Sequence, residues 1–67
     1  MELSARNQLK GVVTEVKLGT IMAEVTVDVN GQSVVATITR ASVERLGLQA
    51  GDQVTVVIKS TEVMIGK

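Results

Sequence analysis

The chain has no cysteine, no histidine and no aromatic residue among its 67 positions. Each absence removes a class of protein. Without cysteine there is no disulfide framework, and without cysteine or histidine a soft metal has no ligands. Without Phe, Tyr or Trp the largest core-filling side chains are missing. So are the platforms on which single-stranded nucleic acids stack their bases. Charge of one sign is also missing: 7 Lys and Arg balance 7 Asp and Glu. No broad field therefore draws the chain to nucleic acid or to an anionic membrane. No apolar run approaches the ~18 residues of a membrane span. Met1 to Lys10 lacks the apolar segment of a signal peptide, so a cytoplasmic location is expected.

The same gaps weigh against catalysis. There is no cysteine nucleophile, histidine base or tyrosine acid. Glu2, Glu15, Glu24, Glu44 and Glu62 are scattered and form no general acid/base pair. A Ser–Lys dyad is conceivable between the Ser4 and Lys59-Ser60 segments, but no oxyanion-hole signature accompanies it. No glycine-rich phosphate loop is present. The chain reads as a binding domain, not an enzyme.

What is present is β-forming. Val, Ile and Thr number 13, 4 and 7, and branched side chains favour strands. Ile21 to Val29 alternates without a break, placing Ile21, Ala23, Val25, Val27 and Val29 on one face. Asn30-Gly31 follows as a two-residue hairpin turn, and Gln32 to Thr39 returns with Val34, Ala36 and Ile38 inward. The period then changes. Ser42 to Gly47 reads as a short helix with Ser42 as N-cap and Gly47 as its stop. Gln53 to Lys59 is a strand with Val54, Val56 and Ile58 on one face. Gln8 to Leu18 is the first strand, in which Gly11 marks a bend or bulge, and Thr61 to Ile65 is a short last one. The expected fold is all-β: a five-stranded OB-like Greek-key barrel with one short helix between strands 3 and 4, over a single domain spanning 1–67. An SH3-like barrel is the second candidate.

A domain this small buries only about 60% of the surface its unfolded chain exposes. Yet 45% of its residues are apolar, and Val13, Met22, Val35 and Val57 fall on strand faces opposite the apparent core. Self-association that covers this face is the expected resolution.

Short polar groups beside isolated cations are the only candidates for chemistry. Ser4, Arg6 and Asn7 precede the first strand. Thr39 and Ser42 flank the helix start, and Lys59 and Ser60 end the fourth strand. These segments can converge at one end of a barrel or across a subunit interface. Arg6 offers a planar fork of N–H donors, Lys59 a compact charge, and the hydroxyls further donors. The first N–H groups of the helix favour an anion as well. A fully deprotonated oxyanion suits this donor-only shell. Each residue also has an ordinary explanation: Ser42 as a helix cap, Lys59 as protection of a sheet edge, Arg6 in a surface ion pair.

The run Ser4-Ala5-Arg6-Asn7-Gln8-Leu9-Lys10-Gly11 resembles the opening signature of the molbindins, the small Mop proteins that bind molybdate and tungstate. The likeness continues through Ala23-Glu24-Val25, Ala36-Thr37-Ile38-Thr39, Ser42 to Leu48, Val57-Ile58-Lys59-Ser60 and Val63-Met64-Ile65. The resemblance implies an OB-like fold and a homohexamer built as a trimer of dimers, with molybdate or tungstate bound between subunits and no organic cofactor. It implies that Ser4, the Ala5 backbone N–H, Arg6 and Lys59 of one subunit meet Thr39 and Ser42 of a neighbour. Ser60 joins this set at a position where some relatives carry Ala. No metal ion is ligated directly by the protein. A second family site lies near threefold axes, for which Gly19 and Thr20 are candidates, although a plain turn explains both. With one copy of the unit and no DNA-binding or nucleotide-binding segment, the chain resembles the free-standing form, which implies storage, buffering or delivery. The competing class is a structural or protein-interaction module that binds no small ligand.

Overall fold

A computed structural model describes all residues, 1–67. Four strands and one helix form in the order β1 (Asn7–Leu18), β2 (Met22–Val29), β3 (Gln32–Thr39), α1 (Arg40–Leu46) and β4 (Gln53–Ile58). The strands make one antiparallel sheet, β3-β2-β1-β4. No helix is long and apolar enough to cross a membrane.

The hairpin between β2 and β3 forms where expected. Asn30 and Gly31 both take positive φ, at 51° and 85°, as a tight two-residue turn requires. The ladder then pairs Val29 with Gln32 through to Met22 with Thr39. Ala23, Val25 and Val27 are buried, as the alternation predicts. Ile21 is not: it precedes the strand, is exposed, and uses its carbonyl to accept from the Arg40 N–H at 2.8 Å.

In β1 the irregularity falls three residues beyond Gly11. The register with β2 slips between Val13 and Glu15, so Thr14 is an extra residue. Its hydroxyl donates to the Thr26 carbonyl at 3.2 Å. A bulge of this kind shifts the alternation by one. Val13 therefore turns inward and becomes the most buried side chain of the protein, and Val16 follows on the inner face. Val13 is thus core and not part of the outer patch, whereas Met22, Val35 and Val57 are exposed. Gly11 serves close approach instead. A Cβ there would sit 2.5 Å from the Asp28 carbonyl oxygen and 2.6 Å from Val27 Cγ1.

The helix starts two residues earlier than Ser42. Its N-cap is Thr39, whose hydroxyl accepts from the Ser42 N–H at 3.0 Å and donates to Ser42 Oγ at 2.8 Å. Ser42 sits one turn inside. Gly47 ends the helix in the left-handed region, as expected. Val43 is buried against the sheet. Replacing Thr39 with Ala removes the cap and is expected to cost about 1 kcal/mol. An unchanged urea midpoint, followed by far-UV circular dichroism, would rule out this role.

The fifth strand does not form. Ser60–Glu62 is a 3-10 turn closed by the Glu62 N–H on the Lys59 carbonyl at 2.9 Å. Val63 beyond it is extended, but the segment pairs with no strand of its own chain, and Met64 and Ile65 are 92% and 90% exposed. The sheet thus has four strands, not five, and its outer strands β3 and β4 do not pair. Between them lies an apolar groove of about 250 Å³, floored by Val13, Val25 and Val27 and walled by Ala36, Ile38, Leu48, Val54 and Val56.

Only five residues are buried in the chain. The accessible surface is 5404 Å², against about 4,100 Å² for a compact monomer of this mass. The radius of gyration is 12.2 Å, against roughly 11 Å for a compact domain of this length. Leu18, Ile21, Met22, Val35, Leu46 and Val57 are among the chain's exposed large apolar side chains.

Candidate functional site

The candidate residues form two clusters. The first is set by β1 and β4. Asn7 opens β1 opposite Ile58, and its side-chain amide donates to the Ile58 carbonyl at 3.1 Å. Gln8 donates to the Ala5 carbonyl at 2.7 Å, which holds the approach to the strand. Arg6 and Lys59 are the next residues beyond the Asn7–Ile58 pair, just outside the ends of β1 and β4. Ser4 and Ser60 follow. All four are exposed, and Ala5 is half-buried. The ion pairs of the protein are Lys17–Glu15 at 3.7 Å and Arg40–Glu44 at 3.9 Å, so neither Arg6 nor Lys59, which lie just past the end of the β1–β4 ladder, has a carboxylate partner.

The second cluster gathers where β3 enters the helix. The Thr39 and Ser42 hydroxyls touch, and the Arg45 guanidinium donates to Ser42 Oγ at 3.5 Å. Sequence reasoning passed over Arg45; its signal was spacing, since residues three apart on a helix share a face. The helix start offers less to an anion than expected. The Ser42 N–H is taken by Thr39 Oγ1 and the Arg40 N–H by the Ile21 carbonyl. Two of the first helical N–H groups are thus already spent.

Gly19 and Thr20 lie beside this second cluster. The Gly19 N–H donates to the Met22 carbonyl at 2.8 Å, and its own carbonyl accepts from Arg40 at 3.3 Å. A Cβ at Gly19 would sit 2.7 Å from the Met22 carbonyl oxygen. Close packing of a turn therefore accounts for this glycine without a ligand.

The register keeps the two clusters apart. The first part of β1, Asn7 to Val12, pairs with β4, and the remainder, Val12 to Leu18, pairs with β2. Arg6 lies before the first of these pairs. Thr39, opposite Met22, lies beyond the last. The 12 residues of β1 therefore lie between them along the sheet, in a molecule whose longest dimension is 34 Å. Neither of the two main hollows of the surface is lined by either cluster.

Fold and site together define a class: a small antiparallel β domain with exposed donor groups beyond the ends of its first strand. The chain belongs to the TOBE domain family, which matches residues 3–65. It is 50% identical to molybdenum-pterin-binding protein 3 of Clostridium pasteurianum, over 97% of each chain. Among solved structures it is similar to a molybdate-binding protein from Sporomusa ovata, with a TM-score of 0.95, 43% identity and all of both chains covered. It is similar also to MopII from Clostridium pasteurianum, with a TM-score of 0.93, 45% identity and 98% and 100% of the two chains covered.

Proposed function

We propose that this protein binds molybdate, and also tungstate, at the junction of two subunits. The observation that carries the reading is the split itself. The un-neutralised Arg6–Lys59 pair and the Thr39–Ser42 hydroxyls sit at opposite ends of β1, so a complete donor shell needs two chains. Ser4, the Ala5 backbone N–H and Ser60 complete the cationic half. The excess apolar surface supplies the drive for association, which we take to be a homohexamer arranged as a trimer of dimers. A relative described as molybdate-binding matches the whole chain, and this supports the choice of ion. The protein acts by binding and not by catalysis, in the cytoplasm, as a store, buffer or carrier of the oxyanion, with no organic cofactor.

Exclusion of water strengthens each charge-assisted hydrogen bond. Discrimination follows from the same shell. Sulfate is smaller and fits fixed donors less well. Phosphate near neutrality often carries a proton, for which a donor-only shell has no acceptor.

Native mass spectrometry with molybdate, and with sulfate as control, tests the whole reading. The expected result is a hexamer that gains discrete molybdate increments and none with sulfate. A species that gains nothing refutes it. That result would favour the second reading, a protein-interaction module, for which the exposed Met22, Val35 and Val57 face is the specific observation.

A further inference from the structure

The charge balance of the second cluster leads further. Arg40 is spent, because its guanidinium binds the Gly19 carbonyl at 3.3 Å and faces Glu44 at 3.9 Å. Arg45, one turn along the same helix, has no carboxylate partner, since the ion pairs of the chain are Lys17–Glu15 and Arg40–Glu44. Its one hydrogen bond within the chain is to Ser42 Oγ, at 3.5 Å. That oxygen already accepts the Thr39 hydroxyl proton at 2.8 Å. With its oxygen taking protons from both neighbours, the Ser42 hydroxyl has its own proton left to give outward. Thr39 thus orients Ser42, and Arg45 brings an exposed positive charge to the same point.

From this we infer that Arg45 is an affinity-determining residue of the oxyanion site, the cation contributed by the subunit that otherwise supplies only hydroxyls. The inference rests on the binding reading above and adds to it. A dianion seated on the Ser42 hydroxyl meets Arg6 and Lys59 from one chain and Arg45 from the other. The negative charge is then met from both sides of the junction. Ligand binding also replaces the long Arg45–Ser42 contact with a charge-assisted bond to the ion. Two consequences follow: tighter binding, and a steeper fall of affinity with salt than two cations would give, because charge attraction is screened by salt.

Isothermal titration of the assembled protein with sodium molybdate, at two salt concentrations, tests this. Arg45→Gln is expected to weaken binding about fivefold at low salt and to flatten the salt dependence. Arg45→Lys should recover most of both, because it keeps the charge. Lys10→Gln, which removes an exposed cation on the β4-paired half of β1 and outside both clusters, should match the parent and so control for net charge. Arg45 also stands in the last turn of α1, where a cation stabilises a helix. A purely structural role would lower the melting temperature of Arg45→Gln and leave the salt slope unchanged, and that pattern overturns the inference. A parent that binds, with Arg6→Ala impaired and Arg45→Gln unimpaired, overturns the inference alone. A parent that takes up no molybdate overturns both it and the reading beneath it.

Discussion

Arg6→Ala is expected to weaken molybdate binding by about tenfold or more and to leave the fold intact. Arg6 is exposed and makes no hydrogen bond or ion pair within its own chain, while the neighbouring Asn7 and Gln8 side chains hold the start of β1. Its removal therefore takes nothing from the folded subunit. It takes from the ligand the planar donor fork that can hold two oxygens at once, which Lys59 beside it cannot replace. Titration calorimetry with molybdate, paired with a thermal melt, separates the two effects. Calorimetric affinity equal to the parent would remove Arg6 from the site. A lowered melting temperature without ligand would show instead that Arg6 holds the assembly together.

Gly11→Ala should produce the largest loss of stability from a single methyl group. The added carbon meets the Asp28 carbonyl oxygen at 2.5 Å and Val27 Cγ1 at 2.6 Å. The first is backbone and Val27 is buried, so neither can step aside cheaply. Overpacking of this kind costs about 1–3 kcal/mol, a large share of the ~3–10 kcal/mol that a chain of this length commands. Gly31 is the useful contrast: its φ is 85° but an added Cβ meets nothing within 4 Å, so Gly31→Ala tests backbone strain without the clash. Unfolding must be followed by far-UV circular dichroism, because the chain has no Trp or Tyr, and at fixed protein concentration, since association feeds into apparent stability. A urea midpoint for Gly11→Ala at or above that of the parent would contradict the packing described for β1.

The sequence carried the hairpin at Asn30-Gly31, the helix stop at Gly47 and the inward set Ala23, Val25 and Val27, because turn geometry and strand alternation are local properties written in neighbouring residues. It misplaced Val13 because the bulge at Thr14 depends on how β1 meets Thr26 across the sheet, and period-2 counting assumes no extra residue. It placed the helix cap at Ser42 in place of Thr39 for a related reason: both hydroxyls suit a cap, and the backbone entering from β3 selects the earlier one. The last strand failed on partnership. Val63 to Ile65 has strand-like composition, but a strand is defined by its neighbour, and within one chain none is offered.

The candidate site divides in the same way. Which groups can meet an oxyanion was readable from residue type alone: a guanidinium at Arg6, an ammonium at Lys59, hydroxyls at Thr39 and Ser42, and no histidine, cysteine or aromatic group to suggest another chemistry. Which of them stand together was not readable. The pairing of Asn7 with Ile58 brings Arg6 to Lys59, the helical spacing of Ser42 and Arg45 joins a cation to the hydroxyls, and the stagger of β1 between β4 and β2 holds the two groups a full strand apart. By itself the sequence determined the local conformations and the donor chemistry, since both depend on side chains and their near neighbours. Only the tertiary structure decided the register, and the register sets the two candidate clusters at different ends of β1, because pairing across a sheet joins residues about fifty positions apart.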